Sequence, residues 1–373
     1  MKIGVNARFL LIPYSGIGQY TRNLILALSK IDKKNEYFLV VPKNLPKKEQ
    51  LKLPKNFKIK VLKERKMGSK GAQKTWWEQI QVPRLFKELN VDVAHFPYPC
   101  NPRFSFDIPT LLTIHDTIPW ENKKYRSGIL STIYHKNAQK AAIKATKIVT
   151  VSKSARKNIG QKLNIPTRQI EVVYNAADPI YQKKAKKIKL PTKNPYFIYV
   201  GGYDERKNIE RLIKAYLAYI APKHNIDLIL VGGKLHKTKL YKGFDCLQNS
   251  QGESKIKPYL SGNIIPTGFI DSAELNALYE NALAFVNFSL MEGFNIGIAE
   301  AATKKLPLIL SDIEVHREVS NKQALFAKPN SVKAIGAALE KFLKNKKQIK
   351  PKLSYSWNDS AKKILSLFKS LIK

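Results

Sequence analysis

The chain alternates short apolar runs with longer stretches in which apolar residues recur every three or four positions. Short continuous apolar runs are typical of strands buried on both faces, and the longer spacing is typical of helices. In the first half this pattern predicts helices at about 19–30 and 76–89, and strands at 2–5, 37–41, 58–62, 91–95, 110–114 and 147–151. Strands that alternate with helices in this way predict a parallel sheet covered by helices on both faces.

The alternation lapses at 178–195, where prolines and lysines interrupt the apolar pattern, and it then restarts. The second half has predicted helices at 209–220, 273–281 and 297–303, and predicted strands at 196–200, 227–231, 264–265, 284–287 and 307–310. We therefore predict two doubly wound α/β domains, residues 1–180 and 190–350, joined by a hinge. Such sheets bind ligands at the carboxyl ends of their strands, so a site is expected in the cleft between the two domains.

The composition is that of a globular protein. The 373 residues are 44% hydrophobic and 25% charged, which excludes disorder of the whole chain. No apolar run reaches the ~18–20 residues of a membrane-spanning helix, and the start lacks the apolar core of a signal peptide. Cys100 and Cys246 lie far apart and have no metal-binding spacing, so we expect two unpaired thiols in a cytoplasmic protein.

The charge is unusual, because 66 Lys and Arg stand against 28 Asp and Glu, a net +38. The excess is spread over both halves, with local clusters at 43–66, 183–193 and 341–352 that lack the interleaved aromatics of a single-strand binding groove. No nucleic acid is therefore expected as the main partner. Two interpretations stay open: a solvated, lysine-rich surface, and attraction to an anionic membrane face.

Two loops that follow predicted strands carry residues suited to binding an anion. Gly16 and Gly18 precede the first predicted helix, where backbone N–H groups and the helix dipole favour an anion, although a plain tight turn explains them equally well. Gly201 is followed by Arg206 and Lys207 at the start of another predicted helix. Two cations are unfavourable at a helix N-terminus unless they meet an anion such as a phosphate; the alternative is a solvated basic loop.

Three further side chains are candidates for chemistry. Glu292 is expected on a loop and Glu300 eight positions later in the first turns of a helix, so both carboxylates can accept hydrogen bonds from sugar or ribose hydroxyls in one cleft. His115 ends a predicted strand, where a site residue and a structural histidine are equally good interpretations. The six histidines form no metal-ligand pattern, and no metal is expected.

Taken together, these segments resemble glycosyltransferase family 4, the group 1 retaining glycosyltransferases. The resemblance covers nearly the whole chain, keeps the family's order and includes the Glu292-x7-Glu300 element. Its other segments are 16–24, 115–116, 150–154, 173–178, 201–208, 267–270, 275–279, 311–313 and 316–319. The resemblance implies the GT-B fold, two Rossmann-like doubly wound domains facing across a cleft. It also implies that the predicted amphipathic helix at 356–373 packs back on the first domain, although contact with a membrane remains an alternative.

The resemblance also implies roles for individual residues. Arg206 and Lys207 match the cations that hold the donor diphosphate, and Glu300 matches the carboxylate on the ribose hydroxyls. Glu292 matches the carboxylate near the transferred sugar. His115 matches the histidine that lines the site from the acceptor domain. The remaining expected donor contacts are backbone groups, those of Gly16, Phe294, Asn295, Ile296 and Gly297.

The sequence departs from the family's pattern in two places. Many members have a cation where Gly202 stands, so diphosphate binding depends more heavily on Arg206 and Lys207. The family usually has Gly at Asn295 and Pro at Gly297. The side-chain amide of Asn295 is then expected beside the sugar, where it alters sugar preference, unless it is only a tolerated loop residue.

Within the family, the chain is most similar to mannosyltransferases of O-antigen and exopolysaccharide synthesis. The expected reaction is retaining transfer of a hexose, mannose from GDP-mannose in first place, to a glycan or polyprenyl-linked glycan at the cytoplasmic face of the membrane. No cofactor besides the nucleotide-sugar donor is expected. The alternatives are a UDP-hexose donor, a sugar-nucleotide epimerase or a phosphorylase of the same architecture, and an inactive basic protein that binds anionic surfaces.

Overall fold

The computed structural model describes residues 1–102, 106–121, 129–233, 246–248, 254–256, 264–345 and 349–372. The basic cluster at 341–352 and the end of the helix predicted at 356–373 therefore lie partly outside the described residues. The chain divides into two compact units. The first comprises Met1–Asn175 and Tyr355–Lys373, and the second comprises Ala176–Ser354. The first stretch of this unit thus ends at Asn175, a few residues before position 180, where the sequence analysis ends the first domain.

The first unit contains a seven-stranded sheet in the order β3-β2-β1-β4-β5-β6-β7, and every pairing in it is parallel. Its strands are β1 (Lys2–Asn6), β2 (Glu36–Val41), β3 (Phe57–Val61), β4 (Val93–Phe96), β5 (Thr110–Thr113), β6 (Lys147–Thr150) and β7 (Ile170–Val172). Its helices up to this point are α1 (Gly16–Ile31), α2 (Lys70–Trp76), α3 (Val82–Glu88), α4 (Ile118–Glu121), α5 (Ile129–Lys144) and α6 (Lys153–Leu163), with a π-helical turn at Trp77–Gln81 between α2 and α3.

The second unit contains a six-stranded parallel sheet in the order β12-β9-β8-β13-β14-β15. Its strands are β8 (Tyr196–Val200), β9 (Asp227–Val231), β10 (Cys246–Gln248), β11 (Ser254–Ile256), β12 (Ile264–Gly268), β13 (Ala284–Asn287), β14 (Leu308–Ser311) and β15 (Leu325–Ala327). Its helices are α7 (Ile209–Tyr219), α8 (Ser272–Asn281), α9 (Ile296–Thr303), α10 (Glu314–Val319) and α11 (Val332–Lys344). β10 and β11 form a separate antiparallel pair.

Both units are doubly wound sheets with buried central strands. β1, β4 and β5 of the first unit and β8, β13 and β14 of the second are buried along almost their whole length, which explains their continuous apolar sequences. The helices α7 and α11 pack on each other in the second unit and place Leu212, Tyr216, Ile335 and Leu339 in its core. The predicted fold class of two parallel α/β domains is confirmed.

The last helix, α12 (Trp357–Ser370), belongs to the first unit and packs against α1. Ser360 donates a hydrogen bond to the carbonyl oxygen of Tyr174 over 2.6 Å, and the Trp357 ring lies edge-on to Tyr20 at 6.0 Å. Ile364 and Phe368 of α12 are fully buried. No helix among the described residues is long and apolar enough to cross a membrane.

The segment that follows Asn175 is attached to the second unit. Asn276 on α8 donates to the carbonyl oxygens of Ile180 and Lys183, and Thr303 on α9 donates to that of Tyr181. The ring of Tyr181 is itself buried against Tyr279. Residues 180–183 of this segment therefore have defined contacts with α8 and α9.

Candidate functional site

The strand order of the second unit fixes where a ligand can bind to it. The chain winds outward from β8 in one direction through β9 and β12, and in the other through β13, β14 and β15. The loops after β8 and β13 therefore diverge at the carboxyl edge of the sheet and leave a crevice between them. The first of these loops carries Arg206 and Lys207, and the second carries Glu292 and the N-terminus of α9.

The loop after β8 is held rigidly in place. Glu205–Lys207 form a 3₁₀ turn that ends at Asn208, whose φ of 57° lies in the left-handed region that asparagine tolerates. The buried Asn208 amide donates to the carbonyl oxygens of Phe288 and Pro329, over 2.9 and 2.8 Å. The backbone N–H of Leu290 also donates to the carbonyl oxygen of Arg206 over 2.7 Å. The two crevice loops are thus bonded to each other, and the two cations have fixed positions.

Arg206 and Lys207 converge on one carboxylate. The distance from Arg206 Nη1 to Glu292 Oε2 is 3.1 Å, and that from Lys207 Nζ to Glu292 Oε1 is 2.5 Å. The Glu292 side chain is only 7% exposed. Burial by itself raises the pKa of this carboxyl, but Lys207 and Arg206 together outweigh it and lower the pKa to about 2. Glu292 is therefore ionised at neutral pH.

Short polar residues after β13 hold the Glu292 carboxylate from the other side. Ser289 Oγ lies 2.8 Å from Glu292 Oε1 and 2.7 Å from Asn287 Oδ1. Asp204 lies 3.0 Å from Arg206 Nε, so each carboxylate of the cluster contacts a cation. Two cations and two carboxylates form a compact ionic cluster that an anionic ligand can enter by exchanging partners.

The loop between Glu292 and α9 accounts for the second departure from the family pattern. Asn295 has a φ of 69°, the left-handed region where glycine is favoured and asparagine is tolerated. A Cβ at Gly297 would lie 3.3 Å from Asn295 Oδ1 and 3.0 Å from Phe285 Cζ. The Phe285 ring and the Asn295 side chain therefore both restrict the space for a side chain at 297. Phe294 beside them is buried, whereas Asn295, Ile296 and Gly297 are half-buried.

Glu300 lies in α9 and differs from Glu292 in its electrostatics. It is 3% exposed, and Tyr279 donates a hydrogen bond to its Oε2 over 2.9 Å. Burial raises the pKa of the Glu300 carboxyl to about 7; the Tyr279 bond opposes this shift and Asp178 adds to it. The two carboxylates of the Glu-x7-Glu element therefore differ, since one is permanently ionised and the other titrates near neutral pH.

In the first unit the predicted Gly16 is the first residue of α1. Ser15 caps this helix by accepting a hydrogen bond from the Gly18 N–H over 3.0 Å. A Cβ at Gly16 would meet no atom within 4 Å, whereas a Cβ at Gly18 would lie 2.0 Å from the carbonyl oxygen of Ile12. Packing within this unit therefore requires glycine at 18, and it leaves the space at Gly16 open.

His115 follows β5 in the first unit and is partly exposed. Its Nε2–H donates to the carbonyl oxygen of Pro97 over 2.8 Å, and its ring lies edge-on to Tyr20 at 4.8 Å. Burial lowers the pKa of His115 to about 4, although the bond to Pro97 opposes the shift. The ring is neutral at physiological pH with its proton on Nε2, so Nδ1 carries the lone pair that can accept a hydrogen bond.

Several residues of this arrangement are absent from the sequence-based candidates. Asn208 and Ser289 fix the positions of the cations and of Glu292, Tyr279 binds Glu300, and His316 accepts a hydrogen bond from Asn295. An asparagine directly before a helix was the available signal for Asn208. Tyr279 and His316 lie in segments that the family resemblance includes, but their contacts depend on the packing of separate elements.

Among the described residues, no group of three or more His, Cys, Asp or Glu side chains is arranged to hold a metal ion. The polar groups of the second unit's crevice are instead ammonium, guanidinium, carboxylate and backbone amide groups. These groups suit a ligand that carries both phosphate and hydroxyl groups.

Comparisons with known proteins agree with this geometry. The family profile described as Glycosyltransferase Family 4 matches residues 14–180, and the one described as Glycosyl transferases group 1 matches residues 181–364. A curated relative, the O-antigen chain mannosyltransferase RfbU of Salmonella typhimurium, is 28% identical over 230 residues, which cover 61% of this chain and 59% of the relative. The chain thus matches little more than half of that relative's length.

Solved structures show the same architecture. Sucrose-phosphate synthase from Thermosynechococcus elongatus has a TM-score of 0.67 at 15% identity, and the match covers 100% of this chain and 96% of that chain. HepE from Anabaena in complex with UDP and glucose has a TM-score of 0.65 at 13% identity, covering 100% and 96%. At these identities the likeness shows the fold, and the predicted GT-B class is confirmed for the two Rossmann-like units. With the two profiles spanning residues 14–364, the chain belongs to the glycosyltransferases, with a family 4 domain followed by a group 1 domain.

Proposed function

We propose that the chain is a retaining glycosyltransferase that transfers a hexose from a nucleotide-sugar donor to a glycan or polyprenyl-linked glycan. The observation that carries this proposal is the convergence of Arg206 and Lys207 on Glu292 at the crevice of the second unit. Two fixed cations beside a helix N-terminus suit a diphosphate. Glu300, at the same strand edge, suits the ribose hydroxyls.

In the proposed reaction the bond between the sugar's anomeric carbon and the diphosphate breaks as the acceptor hydroxyl attacks from the same face. Negative charge then develops on the leaving diphosphate, which takes the proton of the incoming hydroxyl. Arg206 and Lys207 stabilise that charge, and the N–H groups of Ile296 and Gly297 supply further donors. Glu292 accepts hydrogen bonds from the sugar. The neutral His115 ring can accept a further hydrogen bond at Nδ1.

For the donor we propose mannose carried by GDP. The support is the 28% identity to a protein named an O-antigen chain mannosyltransferase, together with the resemblance of the whole motif set. A UDP-hexose is the second candidate, since a structural neighbour was solved with UDP and glucose. The side-chain amide of Asn295 is proposed to influence which hexose is accepted.

For the acceptor we propose a lipid-linked glycan at the cytoplasmic face of the cell membrane. The net charge of +38 is the support, because each Lys or Arg near an anionic surface contributes about 1 kcal/mol of attraction. The same charge keeps the enzyme close to a substrate that is itself confined to the membrane. Nucleic acid is not proposed as a partner.

The proposal is tested by thermal unfolding in the presence of nucleotides and nucleotide sugars. A ligand that binds only the folded state raises the unfolding temperature by mass action. We expect GDP and GDP-mannose to stabilise the protein, and GDP-mannose to be consumed once a lipid-linked glycan is added. Stabilisation by UDP-sugars instead would support a glycosyltransferase whose donor is a UDP-hexose and not GDP-mannose. No response to any nucleotide would contradict the proposed function.

A further inference from the structure

His316 is a buried side chain of the second unit to which the proposed reaction assigns no role. It lies in α10, is fully buried, and contacts two other elements through its ring nitrogens. The distance from its Nε2 to the amide nitrogen of Asn295 is 3.0 Å, and that from its Nδ1 to Ser311 Oγ is 2.8 Å. Ser311 Oγ in turn donates to the carbonyl oxygen of Ser289 over 2.7 Å. The chain of bonds thus links the start of α9 to the loop that carries Glu292.

The chemistry of the partner groups determines which group donates in each of these hydrogen bonds. The Ser311 hydroxyl proton is directed to the Ser289 carbonyl, so the hydroxyl oxygen accepts from His316 Nδ1–H. The amide nitrogen of Asn295 can only donate, so His316 Nε2 is the acceptor. Burial lowers the pKa of His316 to about 4, which keeps the ring neutral as this pattern requires, although Glu292 opposes the shift.

Asn295 occupies the cap position of α9 without serving as a cap. Asparagine at this position commonly accepts hydrogen bonds from the first turn of the helix. Within the described part of the chain, the Asn295 side chain makes no such bond, because its amide is directed to His316. The first N–H groups of α9 therefore keep their capacity for a ligand.

We propose that His316 is a positioning residue for donor binding, because it fixes the Asn295 amide where it makes no hydrogen bond to the first turn of α9 and so leaves the helix N–H groups open to the donor. This inference rests on the proposed function and adds a residue to it. When His316 cannot accept the bond, the Asn295 side chain is released and its oxygen caps α9. The donor must then displace that cap before it can bind, which weakens its affinity.

Substitutions of His316 separate this role from simple packing. In His316→Gln the side-chain oxygen stands near the former Nε2 position and still accepts from Asn295. In His316→Asn the shorter amide reaches Ser311 but leaves Asn295 without its acceptor. An asparagine cap stabilises a helix end by about 1 kcal/mol, which corresponds to about a fivefold change in an equilibrium. By isothermal titration with GDP-mannose and, in parallel, UDP-glucose, we expect His316→Asn to weaken donor binding about fivefold and His316→Gln to restore most of the affinity.

The decisive control repeats both substitutions in an Asn295→Gly background, where no side chain is available to cap α9. The difference between His316→Asn and His316→Gln should then disappear. If the same fivefold difference persisted there, His316 would act through packing and the inference would be overturned. An equal affinity of the two variants in the original background would also overturn it.

Two further outcomes are covered by the same design. Should His316→Asn fail to fold, His316→Leu takes its place, since leucine fills similar space but cannot accept from Asn295. It should weaken donor binding only when Asn295 is present. If the unmodified protein bound no nucleotide sugar, the proposed function itself would fail, whereas binding with no effect of either substitution refutes the positioning role alone.

Discussion

At the scale of single residues, Glu292 has two roles that compete with each other. It neutralises Arg206 and Lys207, the cations proposed to hold the donor diphosphate. A diphosphate must therefore take these cations from a carboxylate that already binds them. The same carboxylate is proposed to contact the transferred sugar, so its removal should affect binding and turnover in opposite directions.

We therefore predict that Glu292→Gln binds GDP more tightly and transfers sugar more slowly. The cations lose an internal competitor, and charged hydrogen bonds of this kind correspond to on the order of a tenfold gain in diphosphate affinity. Calorimetric titration with GDP and a turnover assay measure the two effects. Glu340→Gln, which removes the same charge from an exposed pair with Lys223, is the matched control. Weaker binding of GDP by Glu292→Gln would contradict the assignment of Arg206 and Lys207.

Glu300 gives a second residue-scale prediction, because its pKa of about 7 makes donor affinity depend on pH. Ribose hydroxyls donate to the ionised carboxylate, so binding below this pKa must first expel a proton. Affinity for GDP-mannose should be constant above pH 7 and fall as the pH decreases below it, by up to about tenfold per unit. Dissociation constants measured from pH 5.5 to 8.5 test this, and Glu300→Gln should remove the dependence. An unchanged slope in Glu300→Gln would exclude this carboxyl as its source.

The candidate residues show what a sequence can and cannot reveal at this scale. Arg206, Lys207 and Glu292 were identifiable because a charge pair at a helix start and a Glu-x7-Glu spacing are local patterns. The contacts made by His316 and Tyr279 join elements that are distant in the sequence, so only the folded chain shows them. The restriction on a side chain at 297 likewise depends on the position of Phe285, a residue of β13.

At the scale of elements, the first turn of α1 contains one glycine that packing requires, Gly18, and one that is a candidate for donor binding, Gly16. Gly18 packs against the Ile12 carbonyl, where no Cβ fits, while Gly16 borders open space. The two glycines are two positions apart in one helix, so substitutions at them are well matched.

We predict that Gly18→Ala destabilises the protein and that Gly16→Ala does not. Overpacking of this kind costs about 1–3 kcal/mol, whereas alanine at an open position of the first turn slightly favours the helix. Thermal unfolding of the two variants measures the difference. If the backbone of Gly16 approaches the donor, as the family resemblance implies, Gly16→Ala should raise the KM for the donor while leaving the unfolding temperature unchanged. Equal destabilisation by both substitutions would contradict the packing described here.

The central strands of both sheets, which the sequence predicted, are buried continuously. Central strands such as β8 and β13 are buried along their length, and their apolar runs indicated them directly. β7 and β15 were missed because each is a three-residue strand at the edge of its sheet, too short to produce a distinct apolar run. The helix α6 was also missed, since it buries only Ser154, Ala155, Ile159 and Leu163 and is otherwise polar.

At the scale of the whole molecule, the chain returns to its first unit through α12. This helix buries Trp357, Ala361, Ile364 and Phe368, and the Phe368 ring lies 5.7 Å from that of His95. Its apolar face is thus occupied by the first unit, and its exposed face is rich in lysine. The apolar face of α12 is therefore part of the core of the first unit.

We predict that Phe368→Ala destabilises the protein by about 3–5 kcal/mol, the usual effect of truncating a buried aromatic ring. Lys369→Ala, which changes an exposed residue one position later, should leave stability within about 0.5 kcal/mol. Urea unfolding monitored by tryptophan fluorescence compares the two variants. Equal stability of the Phe368→Ala variant and the unmodified protein would show that α12 contributes little to the first unit.

If Arg206 and Lys207 hold the donor diphosphate, removal of either charge should slow the transfer reaction, and the turnover of single charge-removing variants measures this effect. Arg206→Ala and Lys207→Ala are compared with Lys214→Ala, an exposed lysine of α7 that provides the same change of charge. We expect turnover with GDP-mannose to fall ~10²–10³-fold in both site variants and to be unchanged in the control, when it is measured at a temperature at which all three are folded. Both site variants should unfold at a lower temperature than the control, because each leaves the buried Glu292 carboxylate with one cation fewer. Near-normal turnover in both site variants would exclude a role for these cations in holding the diphosphate.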